Sequence, residues 1–169
     1  KLIRSKGIHL LLPELTRSAL TVEAGEGHFF VMPWRGHTLL GTTDNAFSGD
    51  PATLAVSEAD IADLLALTNK YLPAAHLARG AVEFFYAGLR PLVDDGEKST
   101  YGVSRRSELV DHGAAENLDG LLSALGGKWT TSRGLAQAIT DHVLAKLGRK
   151  AVPCTTAATH LPGGRFDRF

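Results

Sequence analysis

One cysteine, Cys154, in 169 residues excludes an internal disulfide framework and a multi-cysteine metal site, and it fits a reducing, cytoplasmic compartment. No apolar run approaches the ~20 residues that a membrane span requires. Net charge is also missing, because Lys+Arg and Asp+Glu balance at 18 each. Without a basic excess to displace phosphate counterions, no nucleic-acid partner is expected, and any anion recognition must be local. The seven histidines show no HExxH or comparable spacing, so no metal is expected. Neither a GxGxxG fingerprint nor a nucleophile elbow occurs anywhere in the chain.

What is present has ordinary globular composition, 44% hydrophobic and 21% charged. The chain opens on KLIRSKGIHLLLP rather than on Met and stops at LPGGRFDRF, so it is expected to be a segment of a longer protein. Ile8–Leu12 is a short apolar run closed by Pro13 and reads as a buried strand. Ala19–Glu23, His28–Pro33 and Thr38–Thr42 follow as short strands, separated by turn signals at Gly25-Glu26-Gly27 and Arg35-Gly36-His37. Such a meander is antiparallel rather than βαβ. Phe47–Ala55 reads as a loop.

Ser57-Glu58-Ala59-Asp60 has the form of a capping box. Ile61, Leu64, Leu65 and Thr68 then recur at helical spacing until Pro73. Ala81–Leu89 and Tyr101–Val110 read as strands on either side of a polar loop at Asp94–Ser99, and Gly120–Leu125 as a further buried strand. Leu135, Ile139, Val143 and Leu147 repeat every four residues up to Gly148, a C′ position. The expected class is α+β, an antiparallel sheet with flanking helices.

The stretch GGKWTTSR, Gly126 to Arg133, joins the last strand to the last helix. A Walker loop fails here, since Leu122 stands where its first glycine belongs and Trp129 where its hydroxyl belongs. What survives is a Gly-Gly turn feeding a helix N-terminus, which stabilises nearby negative charge. Lys128 adds a cation, and Thr130 and Thr131 add hydroxyls and N-cap groups. A plain tight turn with a solvated lysine is the competing reading. Elsewhere, YAGLRPL places Arg90 directly before Pro91 at a strand end, and VSRRSEL places Arg105 and Arg106 inside a strand. Successive strand side chains point to opposite faces, so one of that pair is expected to face inward. Arginines beside apolar strands seek a carboxylate or a phosphate. His9 interrupts Ile8–Leu12 and reads either as a core histidine or as a titratable base. Thr42-Thr43-Asp44 reads as a turn cap. If the sheet gathers His9, Arg90, Arg105 and Lys128, they form a cationic pocket for a small phosphorylated or carboxylated ligand.

SKGIHLLLP, FVMPWRGHTLLGTTD followed by GDP, YAGLRPL, VSRR and GGKWTTSRGLA stand in an order and spacing that resemble the FAD-dependent, quinone-linked glycerol-3-phosphate dehydrogenases. These are respiratory enzymes of the D-amino-acid-oxidase-like flavoprotein group. The resemblance spans about Ser5 to Gly148, and LPGG at Leu161–Gly164 is similar to the entry into that family's C-terminal domain. It implies a substrate-binding domain over 1–119, the terminal strand and helix of an FAD-binding domain over 120–148, and a linker over 149–169.

By resemblance, Gly126, Gly127, Lys128, Trp129 and Thr130 would lie against FAD, where a helix N-terminus offsets the negative charge of the reduced flavin. Arg90, Arg105 and His9 match the family's substrate-site residues. Arg105 and Lys128 would take the phosphate of glycerol 3-phosphate, Arg90 the C2 oxygen, and His9 the hydroxyl proton. The product would be dihydroxyacetone phosphate, with electrons passing to quinone. Peripheral membrane association at the inner face is implied in the same way. The isolated segment is expected to be inactive. Rival readings are an oxygen-using glycerol-3-phosphate oxidase, an amino-acid oxidase of the same superfamily, and a non-catalytic ligand-binding module on the same scaffold.

Overall fold

The computed structural model describes residues 2–25, 27–93 and 107–164. The chain divides into two compact units, 1–104 and 105–169.

The first unit is an antiparallel sheet built around one long strand. Its elements are β1 (Leu2–Pro13), β2 (Leu20–Ala24), β3 (Gly27–Trp34), β4 (His37–Gly41), β5 (Asn45–Ala46), α1 (Glu58–Tyr71) and β6 (Phe84–Val93). The strand order is β2-β3-β4-β1, with β4 and then β5 along one edge of β1 and β6 along the other. The β3–β4 hairpin turns at Arg35 and Gly36, both at positive φ (51° and 78°), the conformation that a two-residue hairpin with matching twist requires.

Ile8–Leu12 is not buried throughout, as its apolar run led one to expect. Ile8, Leu10 and Leu12 are fully buried, while His9 and Leu11 point to the opposite face and are half-buried, as the two-residue period of a strand dictates. The even face packs with Phe29, Val31 and Leu40 against Ile61, Leu64 and Leu65 of α1. Helix α1 begins as expected. Ser57 Oγ accepts from the Asp60 N–H at 3.2 Å, and Asp60 Oδ2 accepts from the Ser57 N–H at 2.7 Å. Lys6 Nζ of β1 bonds the same Asp60 carboxylate at 2.6 Å, which fixes the helix start over the sheet. Burial raises the Asp60 pKa, but the bonds from Lys6 and Ser57 outweigh it and leave the group below its ordinary value.

Strand β6 also departs from expectation. It begins at Phe84 and runs on through Arg90 and Pro91 to Val93, so Arg90 lies within the strand rather than at its end. Proline is tolerated because β6 pairs only with β1 among the described residues, and an edge strand needs no second ladder of donors.

In the second unit β7 (Ser107–Asp111) pairs antiparallel with β8 (Leu122–Gly126), separated by the short helix α2 (His112–Glu116). Strand β8 is half-exposed rather than buried, since it belongs to a two-stranded sheet. Helix α3 (Ser132–Lys146) carries Leu135, Ile139 and Val143 half-buried, with no fully buried residue. It ends as expected, with Gly148 at φ 63°. The Gly148 N–H reaches Ala145 O at 3.0 Å and the Arg149 N–H reaches Leu144 O at 2.9 Å, a Schellman closure. Among the described residues no helix is long and apolar enough to cross a membrane.

Candidate functional site

In an antiparallel pair, directly opposed residues share a face. The register sets Ser5 opposite Arg90, Gly7 opposite Gly88, His9 opposite Tyr86 and Leu11 opposite Phe84. His9 also stands opposite Gly41, which in turn stands opposite Phe30. These residues form the sheet face turned away from α1. That face is open, with Tyr86 44% and Phe84 60% exposed.

Two glycines let polar side chains lie flat on this face. A Cβ at Gly7 would collide with Arg90 Nη2 and would stand 2.6 Å from Thr42 Oγ1. A Cβ at Gly41 would fall 2.7 Å from both His9 Cδ2 and Ile8 O. Real Cβ atoms essentially never come so close, so a side chain at either position would displace the guanidinium at one and press on the imidazole and the Ile8 carbonyl at the other.

Arg90 is held by several partners. Its Nη1 donates to Thr43 O at 3.1 Å and to Ser5 Oγ at 3.3 Å, and its Nη2 donates to Thr42 Oγ1 at 2.6 Å. Ser5, fully buried, donates its hydroxyl to the Asp44 carboxylate. The Ile8 N–H bonds Thr43 Oγ1 at 3.1 Å, tying the β4–β5 connection to β1. The His9 ring stacks on Tyr86 with centroids 5.1 Å apart and planes 15° from parallel. Burial, and secondarily the positive charge of Arg90, hold the His9 pKa below its usual 6.5. The imidazole is therefore neutral near pH 7 and able to accept a proton.

The Gly-Gly turn lies at the β8–α3 junction of the second unit. Gly126 ends β8 at φ 65°, and Gly127 follows at φ 89°. The helix does not start at once, because Trp129–Thr131 form a 3-10 turn and α3 begins at Ser132. Thr131, rather than Thr130, occupies the N-cap position, and no side chain caps the helix. The Thr131 hydroxyl instead accepts from the Lys128 N–H at 3.2 Å and donates to Lys128 O at 3.0 Å. Lys128 and Thr130 are exposed, and Trp129 is 95% exposed.

Of the residues singled out in the sequence, His9 and Arg90 are brought together on one sheet face. Lys128 and its glycines belong to the second unit, and Arg105 lies outside the described residues. Sequence reasoning missed Ser5, Gly7 and Gly41. Their signal was already in the strings SKGIH and LLGTTD, which place glycine next to chemistry-bearing residues. Among the described residues no group of His, Cys, Asp and Glu could hold a metal ion.

The model of the FAD dependent oxidoreductase family matches residues 1–142. A glycerol-3-phosphate dehydrogenase of Synechocystis sp. is 38% identical over 164 residues, covering 94% of this chain and 30% of that protein. The aerobic glycerol-3-phosphate dehydrogenase of Escherichia coli K12 is 33% identical over 169 residues, covering 96% of this chain and 32% of that protein. A solved structure of the glycerol-3-phosphate dehydrogenase from Bacillus halodurans complexed with FAD superposes with a TM-score of 0.74 at 33% identity, covering 97% of this chain and 31% of that one. The chain thus spans about a third of the length of the curated relatives it matches. With most of its residues matched by the family model and its fold shared with that flavoprotein, the chain belongs to the FAD dependent oxidoreductase family.

Proposed function

We propose that the chain is the substrate-side part of an FAD-dependent glycerol-3-phosphate dehydrogenase, which oxidises glycerol 3-phosphate to dihydroxyacetone phosphate and passes electrons to quinone. The observation that carries this reading is that His9, whose pKa is lowered by burial and by the Arg90 charge, lies on the same open sheet face as the Arg90 guanidinium. Oxidising a secondary alcohol requires a base for the hydroxyl proton and a donor for the oxygen as it becomes a carbonyl. His9 fits the first role and Arg90 the second. Arg105 and Lys128 are assigned to the phosphate from the sequence motifs, where a local cation must compensate a dianion in a chain of zero net charge.

When bound, FAD supplies the two-electron acceptor that takes the C2 hydrogen as hydride, and its reduced form carries negative charge. The β8–α3 junction fits one edge of such a group. Gly126 and Gly127 carry no side chain to block approach, and the start of α3, which no side chain caps, carries the positive end of the helix dipole. Gly126, Gly127, Lys128, Trp129 and Thr130 are the residues proposed to hold it. The domain assignment goes with this reading: 1–119 for substrate, 120–148 for the end of the flavin domain and 149–169 as linker.

The test uses the full-length flavoprotein under anaerobic conditions, with glycerol 3-phosphate added while the visible flavin absorbance is followed. Bleaching with glycerol 3-phosphate but not with glycerol is the expected outcome. Flavin that stays oxidised would sink the reading. Subsequent mixing with quinone or with oxygen identifies the acceptor, faster reoxidation by oxygen pointing to an oxidase.

A further inference from the structure

We infer that Ser5 and Thr42 are positioning residues for Arg90, with Gly7 making room and Asp44 orienting Ser5. The inference rests on the function proposed above and gives the GTTD string the chemical role that the sequence alone did not supply. Its basis is a set of contacts from β1 and from the β4–β5 connection, converging on one guanidinium. Nη1 donates to Ser5 Oγ of β1 and to Thr43 O after β4, and Nη2 donates to Thr42 Oγ1. Three bonds spread over both terminal nitrogens define the plane of the fork as well as its place. A threonine side chain and a threonine carbonyl, one residue apart, therefore act together on a cation borne by a different strand.

The chemistry of the acceptors matters. Ser5 Oγ accepts from Arg90 while its own hydrogen goes to the Asp44 carboxylate, and a hydroxyl polarised in this way is a better acceptor. Thr42 Oγ1 likewise donates onward to Thr43 O at 3.2 Å. Each hydroxyl has its hydrogen turned away from the guanidinium and its lone pairs turned toward it. Gly7 is the steric counterpart, since any Cβ there would displace Nη2 and press on Thr42 Oγ1. The frame thus restricts both terminal nitrogens of Arg90. A side chain with so many rotatable bonds gains most from such restriction when it must meet a transient charge without reorganising.

A double-mutant cycle in the full-length holoenzyme tests this, read as the limiting rate of anaerobic flavin reduction at saturating glycerol 3-phosphate. Thr42→Val is expected to slow reduction about tenfold in the Arg90 background and less than about twofold in an Arg90→Ala background, because coupled residues are non-additive. Thr42→Ser, which keeps the hydroxyl, is expected to restore most of the rate. Ser5→Ala is carried through the same cycle, so that the inference stays testable if Thr42→Val does not retain flavin. Equal slowing in both Arg90 backgrounds, or failure of Thr42→Ser to restore the rate, would overturn the positioning role alone. An unsubstituted enzyme that glycerol 3-phosphate does not bleach would instead overturn the underlying function, and the positioning role with it.

Discussion

At the scale of single residues, His9 shows how a strand can turn an apolar context to chemical use. Its neighbours Ile8 and Leu10 are fully buried, yet the ring emerges on the opposite face, stacked on Tyr86 and influenced by Arg90. Burial and that positive charge both disfavour the imidazolium, so the midpoint of protonation lies below the ordinary value of 6.5. If neutral His9 takes the hydroxyl proton, flavin reduction in the holoenzyme is greatest at neutral pH and above and falls as pH drops through the lowered pKa. His9→Asn is expected to slow reduction by about 10²-fold or more and to abolish that acid limb. A His9→Asn enzyme whose rate keeps the same acid limb would transfer the base role to another group. The sequence placed His9 between two readings, core or base. Periodicity could not decide, because a continuous apolar run conceals which face of the strand a residue occupies. Only the register opposite Gly41 and Tyr86 shows which face the ring occupies.

At the scale of elements, regular patterns were legible and tertiary pairing was not. The cap at Ser57, the stripe Ile61-Leu64-Leu65-Thr68 and the stop at Gly148 depend on local chemistry, and they appear where the sequence put them. The ends of β1 and β6 were not legible. β1 extends back to Leu2, and β6 forward past Pro91, because each supplies the other with a ladder partner that no local window contains. In the second unit the link between β7 and α3 is electrostatic. Asp111, the last residue of β7, accepts from His142 Nε2 at 3.0 Å and from Lys146 Nζ at 2.9 Å, both on α3. Lys146 also reaches Asp119 at 3.0 Å. The His142 bond first, and Lys146 after it, lower the Asp111 pKa from 3.8 to about 2. Because the folded value lies below the unfolded one, the stabilisation is present above pH 3.8 and is lost as pH falls toward 2. Asp111→Asn should therefore destabilise α3 at pH 6, with the difference from the unsubstituted chain shrinking between pH 4 and pH 2. Amide hydrogen exchange of α3 against pH measures it. A difference that stays constant across that range would remove the carboxylate charge as the cause.

At the scale of the whole molecule, each motif taken alone had a mundane alternative, whether a tight turn, a structural ion pair or a core histidine. Their shared order is what made the family readable, and 142 residues matched by the family model agree with it. Convergence in space was the part the sequence could not supply, because it depends on strand register. FAD poses the complementary question of how much of a cofactor site can be provided by a chain that spans about a third of its relatives' length. The β8–α3 junction offers glycines and a helix end, which suit one edge of a flavin. A dinucleotide also carries a pyrophosphate, which in such folds sits on a glycine-rich turn and helix start of the GxGxxG type, and this chain contains no such fingerprint. Binding through the flavin edge alone forgoes the charge-assisted part of the interaction while retaining the full cost of immobilising the ligand. The isolated chain, mixed with FAD and passed over a gel-filtration column, should accordingly elute without stoichiometric flavin absorbance and should catalyse no oxidation of glycerol 3-phosphate. Co-elution of one FAD per chain would mean that the pyrophosphate is held by residues within these 169, and the proposed division of the cofactor site would have to be abandoned.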